Sequence, residues 1–458
     1  MTIRKVFVAN RGEIAVRIIR AARELGLRTV QAVSAADGAM LAARLADETV
    51  PVGPAHASKS YLNKETMVRA AIESGCDAVH PGYGFLSENA DFAEMVEAAG
   101  LVFIGPRPQT IRQMGDKARA RQEAEAAGVP TVPGTAGVID SVEAARAAAT
   151  VIGYPVMIKA AAGGGGRGIR VARDDAELTT LFPQASGEAL AAFGDGGLYL
   201  ERFIARARHI EVQVLGDGEH AIHLFERECS LQRRRQKVWE EAPAACLTPE
   251  QRTALCTSAV RLAERVGYRG AGTLEYLFDE TTGEFFFIEM NTRIQVEHPV
   301  TEMVTGVDIV RWMMRIAGGE KLSLTQADIV LRGHAVEARI CAEDPAADFR
   351  PSPGSVTALD VPGGVGVRFD TMLYAGYAVP PFYDSLLGKL IAHDDTRGEA
   401  IVRLDRALGE LRIEGLPTTV SLHRALAADP AVQAGKVHTR WLEDWLAAAP
   451  PALAHHPD

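Results

Sequence analysis

Glu289, Asn291, Arg293, Gln295, Glu297 and His298 crowd into the stretch FFFIEMNTRIQVEHPVTE, which opens as an apolar strand. A strand built for burial does not end in that much polar chemistry unless partners neutralise it. The preceding run GTLEYLF reads as a second strand, joined through Thr281, Thr282 and Gly283, where glycine can take a left-handed turn position. A hairpin centred on Thr282 sets Glu275 opposite Glu289. Facing carboxylates repel, so a cation between them is expected. Mg²⁺, or Mn²⁺ in its place, is the hard, oxygen-seeking ion that two carboxylates and phosphate oxygens suit. Period-two alternation puts Asn291 on the face of Glu289 and adds it to the metal set. The competing reading, two solvent-facing glutamates, is opposed by the FFFI run, which predicts burial.

Two further segments carry anion chemistry. YPVMIKAAAGGGGRGIRVAR reads as strand, glycine loop, strand; it is not a Walker-type phosphate loop, because Arg167 and Gly168 lead into a strand and not a helix. Its glycines, Gly165 and Gly166 among them, can close backbone N–H groups on phosphate oxygens, and Lys159 adds a point charge. The same glycines also fit a plain surface turn. SLQRRRQKVWEEAP packs Arg233, Arg234, Arg235 and Lys237 into five positions. In a chain of net charge -10 this predicts an anion-binding loop, against the plainer reading of solvated decoration.

The elements that must position these residues are α/β. KVFVAN, GEIAVRIIRAARELG and RTVQAVS form a βαβ unit, and CDAVHPGYG and LVFIGP add strands that run into turns, predicting a doubly wound sheet. GxGxxG is absent, and NRGE stays open between an anion contact and a simple turn. MGDKARARQEAEAAG predicts one Ala-rich helix, VPTVPG a boundary, LYLERFI a strand, and HIEVQVLGDG with AIHLFERECS a meander. At 458 residues the chain needs more than one domain. Its 47% hydrophobic and 24% charged residues fit a soluble globular protein. The net charge gives no basic face for nucleic acid. Five cysteines without CxxC spacing argue against a disulfide framework or a zinc site. No signal peptide or membrane span is visible, so a cytoplasmic location is expected.

The motifs HPGYGFLSEN, MGDK, GGGGRG, RGAGTLEY, FIEMNTRIQVEHPVTE, GHAVEARICAEDP and PPFYDSLLGKLI resemble the signatures of biotin carboxylases, the ATP-grasp components of biotin-dependent carboxylases. The resemblance runs from FVANRGEIAVRI to about Gly415. It implies a Rossmann-like N-terminal domain (1–115), an ATP-grasp domain (116–330) with a mobile glycine-rich flap at about 133–203, a C-terminal biotin carboxylase domain (331–446) and a tail (447–458). ATP and bicarbonate would form carboxyphosphate, whose CO₂ is captured by the biotin enolate. Lys117, Lys159, Gly165, Gly166, Glu201, Arg202, Phe203, Ile204 and His209 would hold ATP, with Arg235, Glu275 and Glu289 in the same site. Glu275, Glu289 and Asn291 would bind the metal. Lys237, Arg293, Gln295 and Val296 would hold bicarbonate, and Glu297 would deprotonate it. Arg339 would stabilise the biotin enolate beside Tyr83. His80 and His298 read as structural.

The resemblance also exposes departures. QRRRQK places Arg235 where the family commonly has His, and Ala161 and Ala162 enter the glycine loop where Ser and Gly are usual. A stiffer flap hinge is expected, since Ala avoids positive φ. No Met-Lys biotinylation signal is present, so biotin is expected on a separate carrier protein, with a separate carboxyltransferase, as in multi-subunit acetyl-CoA carboxylases of fatty acid biosynthesis; a homodimer is implied. Pyruvate, propionyl-CoA or urea are alternative acceptors. A different ATP-grasp ligase is opposed by Arg339, and a non-catalytic ATP-binding regulator by the retained Glu275, Glu289, Arg293 and Glu297.

Overall fold

The computed structural model describes residues 3–135, 137–160 and 170–448. Ala161, Ala162, Gly165, Gly166 and Arg167 lie outside these residues, as does all but the start of the expected tail. The chain divides into two compact units, Met1–Val129 with Arg208–Leu277 and Glu289–Asp458, and Pro130–Ala207 with Phe278–Ile288.

The first unit contains the expected βαβ start. Strand Lys5–Val8 lies between Arg28–Ser34 and Ala78–His80 in a parallel sheet, with Glu48–Gly53 and Val102–Phe103 at its edges. Helix Gly12–Glu24 leaves the first strand through Gly12, whose φ of 72° permits the tight exit. Strand order reverses beside Lys5–Val8, the place where doubly wound sheets open a crevice. There the NRGE loop is a scaffold: Asn10 Nδ2 donates to the Pro81 and Tyr83 carbonyls at 2.6 and 2.7 Å, and Arg11 pairs with buried Asp37.

An eight-stranded sheet follows the order Phe285–Asn291, Arg269–Asp279, Ala207–Asp217, Ala221–Arg233, Gln236–Ala242, His334–Cys341, Leu386–Asp394, Val367–Thr371. Alternation sorts its residues. Val336, Ala338 and Ile340 join Trp239, Leu390 and Ala392 in a core under helix Arg397–Glu410. On the opposite face Ala335 and Ile391 meet Val300 and Val304 of helix His298–Thr305. Glu337 and Arg339 share the parity of Ala335, so the same short strand supplies a greasy face and a charged one.

Two expectations need refining. The Arg233–Lys237 run, expected as an anion-binding loop, forms the turn of an antiparallel hairpin, with Arg234 and Arg235 both at positive φ. Its cations separate: Arg233 stacks on Phe349, Arg234 pairs with Asp348, and Lys237 is buried among carboxylates. The MGDK segment is also not one helix. Asp116 accepts from the N–H groups of Ala118 and Arg119, ending helix Pro108–Gly115 and capping Lys117–Ala126, the position aspartate favours.

In the second unit Val156–Ala160 pairs antiparallel with Arg170–Ala172 and Leu198–Arg202, backed by helices Val142–Ile152 and Asp175–Phe193. Strands therefore flank the glycine segment, as the sequence predicts.

Candidate active site

Lys237 is the hub of the first unit's polar cluster. Its Nζ reaches Glu211 Oε2 and Glu297 Oε1 at 2.6 Å each and Glu275 Oε1 at 3.0 Å. Burial works against its charge, but Glu211, Glu297 and Glu275 outweigh that and hold its pKa well above the lysine range. Glu275 Oε1 also accepts from Asn291 Nδ2 at 2.9 Å and Gln295 Nε2 at 2.8 Å. Although burial favours its neutral form, Lys237 and His209 hold its pKa well below the carboxylate range. Arg227, wholly buried, donates to Glu211 at 2.6 Å and to Gln295 Oε1 at 2.7 Å.

Glu297 stands between two cations. Its Oε1 takes Lys237, and its Oε2 takes Arg339 at 2.9 Å. Against burial, Lys237, Arg339 and Arg227 hold it ionised well below its usual pKa. Arg293 is not its partner: that guanidinium bonds Glu88 at 2.9 Å and Asn291 Oδ1 at 3.2 Å.

The repulsion expected around Glu275 is thus relieved by Lys237, and the two hairpin glutamates are not alike. Glu289 keeps 38% of its side chain exposed and lies 3.5 Å from Lys117, while Ile288 beside it is 37% exposed. The FFFI run predicts burial, and Phe286 and Phe287 are buried, but Phe285–Asn291 is the edge strand of its sheet and leaves Glu289 partly exposed. Metal chemistry still fits. Glu275 Oε1 takes three donors and its Oε2 lies 3.2 Å from His209 Nε2, while Glu275, Glu289 and Asn291 all offer oxygen, the ligand atom a hard cation takes. Among the described residues, ligand atoms of His209, Glu211 and Glu275 also lie within 4.8 Å of one another.

At the sheet crevice the Tyr83 hydroxyl donates to Glu13, and burial together with Glu13 holds its pKa well above 10.0. Lys389, fully buried, pairs with Glu13 at 3.1 Å and donates to the Val296 carbonyl at 2.9 Å, so it fixes the peptide leading into Glu297. His298 Nδ1 and the Gln295 carbonyl lie 2.7 Å apart, and the His80 Nδ1 accepts from Gly82 N–H at 3.0 Å; both rings are buried. Arg235 stays in the hairpin turn. In the second unit, described by itself, Lys159 pairs with Glu201, Arg202 with Glu284 at 3.2 Å, and the Phe203 N–H donates to the Pro155 carbonyl, with Ile204 buried just beyond.

Sequence reasoning missed Glu211, Arg227, Glu240, Lys389 and Glu13. One signal was available: in HIEVQVL the polar residues His209, Glu211 and Gln213 recur at period two inside an otherwise apolar, buried strand.

A doubly wound N-terminal sheet, a small antiparallel unit around Val156–Ala160 and a buried carboxylate–lysine cluster fit an ATP-grasp ligase. Three family models match in chain order: biotin carboxylase N-terminal domain over residues 2–111, carbamoyl-phosphate synthase L chain ATP binding domain over 116–325, and biotin carboxylase C-terminal domain over 337–444. The chain is 54% identical to the biotin carboxylase of Pseudomonas aeruginosa over 441 residues, 96% of this chain and 98% of that one. Among solved structures it resembles the biotin carboxylase domain dimer of Hydrogenobacter thermophilus 2-oxoglutarate carboxylase in complex with MgADP, ADP and bicarbonate. That match has a TM-score of 0.88, 47% identity and complete coverage of both chains. It also resembles the biotin carboxylase subunit of a pyruvate carboxylase, with a TM-score of 0.90 and 48% identity over 99% of this chain and 100% of that one. The chain belongs to the biotin carboxylase family. It is an enzyme, and its activity is ATP- and bicarbonate-dependent carboxylation of biotin with Mg²⁺.

Proposed function

We propose that this chain performs the first half-reaction of an acyl-CoA carboxylase, with acetyl-CoA as final acceptor and biotin presented on a separate carrier protein. Within that reading Glu297 is the base for bicarbonate, and the observation that carries it is its place between Lys237 and Arg339. A carboxylate held ionised can take the bicarbonate proton, while Lys237 and Arg293 offer cationic contacts to the remaining oxygens. The side chain of Gln295 and the backbone of Val296 complete the bicarbonate set. Arg339 then meets the enolate oxygen of biotin beside Tyr83.

Lys117, His209, Arg235, Glu275 and Glu289 in the first unit are proposed nucleotide ligands, as are Lys159 and Glu201, Arg202, Phe203 and Ile204 in the second. Gly165 and Gly166 keep that assignment from the sequence. Glu275, Glu289 and Asn291 would hold Mg²⁺, which when bound neutralises phosphate charge. Segments 1–115, 116–330 and 331–446 serve as the three domains, in a cytoplasmic homodimer that works with a carrier and a carboxyltransferase. The acetyl-CoA assignment leans on the resemblance of the chain's motifs to the biotin carboxylase subunits of multi-subunit acetyl-CoA carboxylases.

The test is ADP release by the purified chain with Mg²⁺, with and without bicarbonate and free biotin. Turnover that requires bicarbonate and rises with biotin is expected; indifference to both overturns the mechanism. Reconstitution with carrier and carboxyltransferase, supplying acetyl-CoA or pyruvate in turn, decides the acceptor.

A further inference from the structure

Glu337 and Glu240 face one another directly in the antiparallel pairing of His334–Cys341 with Gln236–Ala242. Both are completely buried. Among the described residues no donor reaches either oxygen of Glu337 or Oε2 of Glu240, whereas Glu240 Oε1 takes Arg339 Nε at 2.5 Å. On its other side Glu337 is in register with Ile391, and Ala335 precedes it on the same face, both packed with Val300. Two anions in that position, one lacking any donor, would be strongly disfavoured. A single proton removes the conflict, because a protonated carboxyl can donate to the one unfilled oxygen of its neighbour.

We propose that Glu337 is held as a neutral carboxylic acid donating to Glu240 Oε2, and that Glu240, so fixed, is a positioning residue for the Arg339 guanidinium. The proposal rests on the reading of Arg339 as the biotin-enolate contact. Charged and titratable groups around the pair come from every neighbouring strand and helix. They are Glu240 and Lys237 from Gln236–Ala242, Arg339 on Glu337's own strand, Lys389 from Leu386–Asp394, and Glu297 just before helix His298–Thr305. Burial, then Glu240, drives Glu337 upward against Lys389 and Arg339. Burial also raises Glu240, to about 7, against Arg339.

The consequence for catalysis lies in the two ends of Arg339. Its Nε is held by Glu240, and its terminal nitrogen reaches Glu297 Oε2 at 2.9 Å. When Glu297 accepts a proton its hold on the guanidinium weakens. Glu240, relieved of repulsion by the acid opposite it, keeps Arg339 in place for the next anion.

Infrared difference spectra of the parent minus Glu337→Gln at neutral pH read the proton directly. A carbonyl stretch of a protonated carboxylic acid, present in the parent and lost in the variant, is expected; its absence overturns the proposal. The amide keeps the shape of the neutral acid, so the variant should fold. Glu240→Gln tests the second half: biotin-dependent ADP release should fall about 10²-fold, a larger loss than that of bicarbonate-dependent cleavage without biotin. Equal biotin dependence in parent and variant overturns the positioning role. If Glu240→Gln does not fold, Glu240→Asp, which withdraws the charge from Arg339, carries the same comparison. A parent whose ADP release ignores bicarbonate would instead defeat the reading of Glu297, with the infrared result standing apart.

Discussion

The two faces of strand His334–Cys341 alternate residue by residue, yet they hold together on different terms. Val336, Ala338 and Ile340 pack under helix Arg397–Glu410 with Leu390 and Ala392. Glu337 and Arg339 look the other way, where Glu240, Glu297 and Lys389 must balance them. On the apolar face each side chain contributes roughly in proportion to the area it buries. On the charged face a contribution belongs to a group of residues, because removing one ion leaves its partners buried and unmatched.

The largest break in that comparison is Lys237→Met, which strands Glu211, Glu275 and Glu297 together. A loss of about 3–5 kcal/mol is expected, seen as a lower Tm, with bicarbonate-dependent ADP release abolished. On the apolar face Ile340→Ala should cost about 3 kcal/mol through its cavity. Turnover per folded molecule should stay near the parent value. If Ile340→Ala instead altered the KM for biotin, the two faces would be coupled and not independent.

A smaller effect sharpens the comparison through pH. Burial raises both members of the facing pair, Glu337 well above 4.5 and Glu240 to about 7, which Arg339 only partly offsets, so the pair shares one proton. The native state therefore keeps a proton that the unfolded chain releases, so the associated stability is complete below about 4.5 and is lost as pH rises through about 7. Glu275 and Glu297 run the other way: their lowered pKa values give stability that is lost as pH falls below their usual range. Comparing parent with Glu337→Gln isolates the first trend. The Tm of the variant relative to the parent should climb between about pH 5 and about pH 8, by on the order of 1–2 kcal/mol. A flat difference would mean that Glu337 carries no proton.

Much of the site was legible because its residues sit in local motifs. Asn291, Gln295 and Glu297 share one segment that turns from strand to helix, and the structure brings Lys237, Glu275, Glu297 and Arg339 into one hydrogen-bonded group. Partners were harder to read. Lys389 lies far along the chain from Glu13 and Val296, and Arg227 reaches Glu211, Gln213, Thr273, Gln295 and Thr301 from five places in the sequence. Local spacing does not encode such pairings; strand order does. The turn at Arg234–Arg235 was hidden because its positive φ positions carry arginines where Asn or Gly would announce a hairpin. The partial exposure of Glu289 likewise follows from its strand lying at a sheet edge, a property of topology and not of the FFFI run.

That last point supplies the smallest stability change and the sharpest separation of stability from function. Glu275 and Glu289 come from the two strands of one hairpin, but Glu275 is buried under three donors while Glu289 has an exposed lysine for a partner. Glu289→Gln therefore removes a surface-type ion pair, and Tm should move by no more than about 1 kcal/mol allows. Its proposed task lies with the metal, so the Mg²⁺ concentration giving half-maximal ADP release should rise on the order of 10-fold or more. Glu275→Gln should do both, because its charge balances Lys237 as well as serving the ion. If the Glu289 variant kept the parent's Mg²⁺ requirement, the metal set would have to be drawn elsewhere, as from His209, Glu211 and Glu275, whose ligand atoms lie within 4.8 Å of one another.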